Sequence, residues 1–93
     1  MDVKGAVRIA LAHVRELFED EKISDLGLEE VVFDESAGRW EVTVGFSRPW
    51  DYPKPNILAS KRMQETEPRR SYKVVRVDSK SGTVDSVTIR ERT

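Results

Sequence analysis

Residues 48–55 combine the side chains that most often anchor a protein partner. This stretch, RPWDYPKP, holds two aromatic residues, three prolines and two cations. Tryptophan, tyrosine and arginine are enriched at binding hot spots, and prolines lower the entropy that a loop loses when it binds. Two arginines and a tyrosine follow after the next 13 residues. The predicted partner-binding residues, with the aromatic rings as anchors and the arginines pairing with carboxylates, are Arg48, Trp50, Tyr52, Arg69, Arg70 and Tyr72.

The same region allows a second interpretation because it is locally basic. Residues 47–73 contain 7 Lys/Arg against 3 Asp/Glu, a net charge of +4. Lys61-Arg62 and Arg69-Arg70 would contact phosphates while Trp50 or Tyr52 stacks on exposed bases. However, the whole chain has a pI of about 5.9, whereas a nucleic-acid-binding domain is strongly basic. Single-stranded nucleic acid is therefore the alternative partner and not the first expectation.

Charge is distributed unevenly along the chain. Residues 1–46 carry 5 Lys/Arg and 11 Asp/Glu, a net charge of −6, whereas residues 47–93 carry 11 and 6, a net charge of +5. The two halves either neutralise each other within one fold or supply a basic surface for an acidic partner or a second copy. The expected partner is a protein segment, or a second copy in a homodimer.

Residue types that could support catalysis or metal binding are few. The chain has one histidine, His13, three positions before Glu16, and no cysteine. The carboxylate pair Glu29-Glu30 would point to opposite faces of a strand, and residues 19–21 lack the ligand spacing of a calcium loop. No nucleotide-binding or metalloprotease motif is present. We expect a protein that is not an enzyme and holds no metal or cofactor; a small ligand or enzyme pocket near His13 is a further alternative.

These residues must be positioned by a small α+β fold. Apolar residues at helical spacing predict an amphipathic helix over 3–21, capped by Asp2. A connector over 22–27 follows, and alternating residues predict four strands, at 28–34, 39–47, 70–78 and 83–91. Turns with a glycine join the first two strands at 34–39 and the last two at 78–83. All four prolines fall in the long connection 48–69, within which 57–64 could form a short helix.

Successive strands favour an antiparallel meander with the helix packed across one face. A bulge near Glu29-Glu30 would bring Leu28 and Val31 to the same face. The residues predicted to face the helix are Trp40, Val42, Val44, Phe46, Val75, Val77, Val87 and Ile89. The residues predicted on the outer face include the apolar side chains of Tyr72, Val74, Val84 and Val32. Such a face needs a cover, either the long loop, with Trp50 and Tyr52 as its anchors, or a second copy of the chain.

The last hairpin, YKVVRVDSKSGTVDSVTI over 72–89, resembles the hairpin of PepSY-type domains. The helix that precedes the sheet is also similar to that family and to the wider cystatin-like α+β group. Pro49-Trp50 is similar to the Pro-Trp loop of cystatins, but the Gln-x-Val-x-Gly motif is absent, since Glu41 begins the nearest string. The resemblance implies a non-catalytic binding role. We expect a bacterial protein-binding module, and the residues of the 48–70 loop and the outer sheet face are its predicted contact surface.

Length and hydropathy set the general class. The chain has 93 residues, 35% of them charged, and its longest apolar runs are far shorter than the roughly 20 residues that span a bilayer. Its first residues, MDVKG, do not have the pattern of a secretory signal. We therefore expect one domain over 1–93, located in the cytoplasm and not associated with a membrane.

Overall fold

A computed structural model, which describes residues 1–51 and 70–90, places one helix before four strands. The strands form one antiparallel sheet in the order β1-β2-β3-β4, so the protein has the predicted α+β fold with the helix against the sheet. The long connection between β2 and β3 contains residues 52–69, and the helix predicted at 57–64 lies outside the described residues. The elements are α1 Val3–Leu17, β1 Ser24–Asp34, β2 Arg39–Ser47, β3 Ser71–Asp78 and β4 Val84–Ile89.

Helix α1 begins where the sequence predicts and ends earlier. The Asp2 carboxylate accepts a hydrogen bond from the Gly5 amide at 2.8 Å, which confirms the N-cap. Leu17, the last residue of the helix, is 56% exposed. The helix ends there because three consecutive carboxylates follow, which are unfavourable at the negative end of the helix dipole. The acidic residues form a short 3₁₀ turn, Glu19–Glu21.

Strand β1 is longer than predicted. It begins at Ser24, within the predicted connector, and pairs there with the last residue of β2, Ser47. The left-handed backbone of Asp25, with φ of 56°, lies at a shift in the pairing register. Local sequence pattern indicates a break at such a position, whereas the sheet continues through it because β2 supplies the pairing partner.

The bulge predicted near Glu29-Glu30 is confirmed. Leu28 pairs with Val44, and Glu30 pairs with Thr43, so Glu29 is the extra residue. Beyond the bulge, Val31 pairs with Val42. Leu28 and Val31 therefore lie on the same face, as predicted, and that face is the helix side.

The core lies between α1 and the central strands. Its fully buried residues are Ala6, Ala10, Val14, Val42, Val44, Phe46, Val75 and Val77. Trp40 and Val87 pack against this core as predicted. Ile89, also predicted to face the helix, is 72% exposed, because it lies near the end of the edge strand β4, where one helix no longer covers the sheet.

Val84 was predicted on the outer face, and that prediction is wrong. Arg76 pairs with Ser86, but the next β3 residue, Val77, pairs with Val84, so the ladder skips Asp85. The skipped residue reverses the alternation and brings Val84 against the core. Strands β3 and β4 are otherwise trimmed by one or two residues at their ends relative to the prediction.

The two hairpin turns have the same construction, Asp-x-x-x-Gly, which sequence reading did not identify as a repeat. Asp34 accepts hydrogen bonds from the Ser36 hydroxyl at 2.7 Å and the Ala37 amide at 3.2 Å, and these lower the pKa of its carboxyl. Asp78 accepts from the Ser81 and Lys80 amides at 2.8 and 2.9 Å, which lower its pKa in the same way.

The glycine that closes each turn has a left-handed backbone, with φ of 65° at Gly38 and 74° at Gly82. The two turns also contact each other, because Ser79 donates to the Gly38 carbonyl from its hydroxyl at 2.7 Å and from its amide at 3.1 Å. The hairpins are therefore tied together at this end of the sheet.

Candidate functional site at the open end of the sheet

The opposite end of the sheet contains a cleft rich in cations. Because the strands are antiparallel, the end of β2, the start of β3 and the end of β4 meet there. The Arg90 amide donates to the Tyr72 carbonyl at 3.0 Å, which fixes the end of β4 beside β3. The cleft has a volume of about 340 Å³. We call it the cationic cleft, and its lining residues are Arg48, Arg70, Ser71, Tyr72, Lys73, Ile89 and Arg90.

Arg48 is held firmly on the helix side of this cleft. Its guanidinium carbon lies 5.5 Å from the Phe18 ring centre and 5.3 Å from that of Phe46. Its Nε is 2.7 Å from a carboxylate oxygen of Glu21, and its Nη1 donates to the Ser71 hydroxyl at 3.1 Å. The side chain is 18% exposed. Arg48 therefore joins the 3₁₀ turn to β2 and β3, and much of its charge is already balanced.

Trp50 lies beside Arg48 and is open to solvent. It belongs to a short 3₁₀ turn, Pro49–Asp51, that follows β2. The Arg48 guanidinium carbon is 5.5 Å from the Trp50 ring centre, a cation–π distance. The residue is nevertheless 66% exposed. An exposed tryptophan positioned by an immobilised arginine is well suited to contact a partner.

Arg70 and Tyr72 lie on the other face of the sheet, across Gly45. A side chain at Gly45 would begin 3.0 Å from Arg70 Nη2 and 3.1 Å from Tyr72 Cε1. Arg70 Nη2 also donates to the Asp25 carbonyl at 2.9 Å. Because Gly45 has no side chain, Arg70 and Tyr72 can approach the backbone of β2 closely at this point.

The rest of the outer face is more polar than predicted. Arg76 bonds the Glu41 carboxylate at 3.0 Å and the Thr88 hydroxyl at 2.8 Å. Arg90 bonds the Glu30 carboxylate at 2.9 Å and the Thr43 hydroxyl at 2.8 Å. With Val84 on the helix side, the apolar residues that the described strands place on this face are Val32, Tyr72 and Val74, and polar pairs lie among them.

The predicted binding residues therefore divide between two faces at one end of the molecule. Arg48 and Trp50 lie on the helix side, and Arg70 and Tyr72 lie on the outer side. Tyr52 and Arg69 fall outside the described residues. Sequence reasoning did not assign Lys73 and Arg90 to the site. Antiparallel pairing was the available signal for Arg90, because a meander returns the end of its fourth strand to the start of its third.

His13, the residue predicted to lie near an alternative pocket, does not line the cationic cleft. The space between α1 and the sheet is filled by small helix residues and by Phe46, whose ring centre lies 5.1 Å from that of Phe18. In the carboxylate pair Glu29-Glu30, the Glu30 side chain accepts a hydrogen bond from Arg90 at 2.9 Å. Within residues 1–51 and 70–90, no three His, Cys, Asp or Glu residues are grouped to hold a metal ion.

The fold and the cleft define an α+β protein with a cationic, aromatic-flanked surface. Comparison of the chain with protein-family models, with curated proteins and with solved structures found no significant match. In the described ranges, no helix has both the length and the apolar character needed to cross a bilayer.

Proposed function

We propose that this chain is a non-enzymatic protein-binding module that takes an acidic segment of a partner protein at the cationic cleft. The observation that carries the proposal is the convergence of four cations, Arg48, Arg70, Lys73 and Arg90, on one cleft of about 340 Å³. Trp50, 66% exposed, flanks the same end of the sheet. Arginine and tryptophan supply both the charge and the apolar contact of a binding hot spot.

The cations of the cleft are available to different degrees. Arg48 is packed against aromatic rings and paired with Glu21. Its role is therefore to position Trp50 and to contribute to the positive potential of the cleft, and not to bind a partner carboxylate directly. Arg90 pairs with Glu30, but the two side chains are 45% and 52% exposed. Because an exposed ion pair contributes little, about 0–1 kcal/mol, Arg90 can exchange Glu30 for a carboxylate of the partner at small cost.

A titration followed by two-dimensional ¹H–¹⁵N spectra of the full chain tests the proposal. The probe is a short peptide of glutamates with one central leucine, and the control peptide carries lysines in place of the glutamates. The expected result is a set of shifts at the amides of Tyr72, Lys73 and Arg90 with the acidic peptide alone. Binding should weaken as salt is added, because the interaction is between exposed charges.

Variants make the test specific. Trp50→Ala and Arg70→Ala should each weaken binding by about fivefold or more, the range for hot-spot truncations above 1 kcal/mol. Lys80→Ala, which removes an exposed cation from the turn at the other end of the sheet, is the matched control and should leave binding unchanged. Equal affinity of all three variants, or the absence of shifts at the cleft, would refute the proposal.

Two further outcomes identify other partners. Tighter binding of a short oligothymidine than of the acidic peptide, with a steep dependence on salt, would replace the protein partner by single-stranded nucleic acid. A dimer in sedimentation experiments that is lost in Trp50→Ala would make a second copy of the chain the partner. PepSY-like or cystatin-like membership, a bacterial origin and a cytoplasmic location stay predictions from the sequence.

A further inference from the structure

An open groove of about 550 Å³ separates α1 from β1, and it shares no lining residue with the cationic cleft. Its floor is apolar, and two of the floor residues are well exposed, Val3 at 40% and Leu28 at 44%. The apolar residues that line it are Val3, Val7, Leu11, Leu28 and Val31. The groove exists because one helix covers the central strands and leaves the edge strand partly bare.

The helix rim of this groove is basic. Lys4, Arg8 and Arg15 all line it, and their spacing places them along one side of α1. None of the ion pairs among the described residues involves any of the three. The groove thus combines an apolar floor with three cations that have no carboxylate partner in the described part of the chain.

The other rim is the free edge of the sheet. In the described residues β1 is the outermost strand, and beyond its bulge the segment from Glu30 to Asp34 is paired regularly with β2 on its inner side alone. This segment contains no proline and no lysine, two of the residues that protect an edge, and the bulge at Glu29 lies before it and not within it. An exposed edge of this kind offers backbone donors and acceptors to an added strand.

We propose that the groove between α1 and β1 binds an extended, acidic and apolar segment of a partner protein as a fifth strand. The added strand hydrogen-bonds to β1, and its side chains on the helix side enter the groove. Long apolar side chains contact the floor, and carboxylates on the same face of the strand contact Lys4, Arg8 and Arg15. This site shares no lining residue with the cationic cleft, although Arg90 of the cleft bonds Glu30 at the start of the same edge segment.

Charge argues against a second copy of this chain as the occupant. Antiparallel pairing of β1 with β1 of another molecule keeps both helices on the same face of the joined sheet, so the two basic rims would face each other. The β1 side chains that face the helices, Leu28, Val31 and Phe33, carry no carboxylate to offset this repulsion. A strand from a different protein, with carboxylates among the side chains that face the helix, would instead pair with the basic rim and cover the same apolar floor.

The test uses the full chain and a synthetic peptide of about nine residues, the length of a moderately long strand. Threonine occupies every second position, for the outer face, and leucine alternates with glutamate at the remaining positions, for the groove. One control peptide has lysine in place of glutamate, and a second has a central proline that cannot pair with a strand. The expected result is slowed amide exchange and spectral shifts in residues 30–34 and along α1, with the acidic peptide alone.

Two charge-reversal variants make the assignment specific. Arg8→Glu should weaken binding by about fivefold to tenfold, because it replaces one exposed attraction with a repulsion. Lys80→Glu changes the net charge equally but lies in the β3–β4 turn, and it should leave binding unchanged. Trp50→Ala should also leave it unchanged, which separates this site from the cationic cleft.

Four results would overturn the proposal: equal binding of the lysine peptide, equal loss in the two charge-reversal variants, shifts confined to the cationic cleft, or no binding at millimolar peptide. A dimer whose β1 amides are protected without peptide would also overturn it, because the occupant would then be a second copy. Circular dichroism of Arg8→Glu, a surface change on the helix, shows whether the fold is intact before its affinity is compared.

Discussion

The glycine pair Gly27 and Gly45 offers a sharp test of how the sheet positions Arg70 and Tyr72. The two glycines are direct partners across β1 and β2, so the same substitution, glycine to alanine, can be compared in the two strands at one level of the sheet. An added methyl group at Gly27 meets nothing within 4 Å, whereas at Gly45 it meets Arg70 Nη2 at 3.0 Å and Tyr72 Cε1 at 3.1 Å. We expect Gly27→Ala to stabilise the protein and Gly45→Ala to destabilise it.

The magnitude follows from two opposing contributions. Either alanine lowers the entropy of the unfolded chain and stabilises the protein by about 0.4–1 kcal/mol. At Gly45, the methyl group would lie 3.0 Å from Arg70 Nη2, so the guanidinium must shift by a few tenths of an ångström, and we expect this shift to disrupt its 2.9 Å hydrogen bond to the Asp25 carbonyl. A hydrogen bond from a charged group contributes about 1.5–3 kcal/mol, and the lower part of that range applies to this exposed pair. The two variants should therefore differ by about 1–2 kcal/mol.

Urea denaturation, followed by tryptophan fluorescence, measures this difference. With a slope of about 1–1.5 kcal/mol per molar urea for a chain of this size, the two midpoints should lie about 1 M apart. Gly45→Ala should also shift the side-chain resonances of Arg70 and Tyr72, and Gly27→Ala should not. If both variants have the same midpoint and the Arg70 resonances do not move, the close packing across Gly45 does not hold these residues in place.

Three further predictions concern the core, the hairpin turns and the Arg48–Glu21 ion pair at the cationic cleft. Phe46→Ala should lower the free energy of unfolding by about 3–5 kcal/mol in urea, because the ring is fully buried. The pKa of Asp78 is lower in the folded protein than in the unfolded chain, so its stabilising effect is present above the unfolded pKa, near 3.8, and is lost as the pH falls through the folded pKa. When the pH falls from neutral to acid, the free energy of unfolding of Asp78→Ala should therefore decrease less than that of the wild type. An equal decrease would show that the hydrogen bonds accepted by the Asp78 carboxylate do not stabilise the folded state. Glu21→Gln should lower the free energy of unfolding by no more than about 1 kcal/mol, because it removes one ion pair. Arg48→Ala should lower it further, because this change also removes the contacts with Phe18 and Phe46. Thermal unfolding of both variants measures the difference.

Local pattern in the sequence was sufficient for the elements and their order. The spacing of apolar residues located α1, and strict alternation gave β2 at its observed bounds, Arg39–Ser47. The bulge at Glu29 was predictable because Leu28 and Val31 can reach one face only if an extra residue lies between them. The turn glycines, Gly38 and Gly82, were predictable because each turn requires a left-handed backbone.

Local pattern also indicated which segment carries the unusual binding chemistry. Arginine and aromatic residues cluster in sequence around the long connection, and the structure brings Arg48, Arg70 and Tyr72 to one cleft. Their placement on two faces was not predictable, because it depends on how Arg48 packs on Phe18 and how Arg70 lies across Gly45. Those contacts join residues that are far apart in the chain.

The remaining features depend on tertiary contacts, even where, as for Arg90, the expected strand pairing was a partial signal. Strand β1 starts at Ser24 because β2 supplies a partner, and Val84 turns inward because the β3–β4 ladder skips Asp85. Arg90 joins the cationic cleft through pairing with Tyr72, and the basic groove beside β1 exists because one helix is too narrow to cover four strands. The physical reason is common to all four. The periodicity of apolar residues indicates whether a segment forms a helix or a strand, whereas the strand register and the part of the sheet that the helix covers depend on neighbours that only the folded chain supplies.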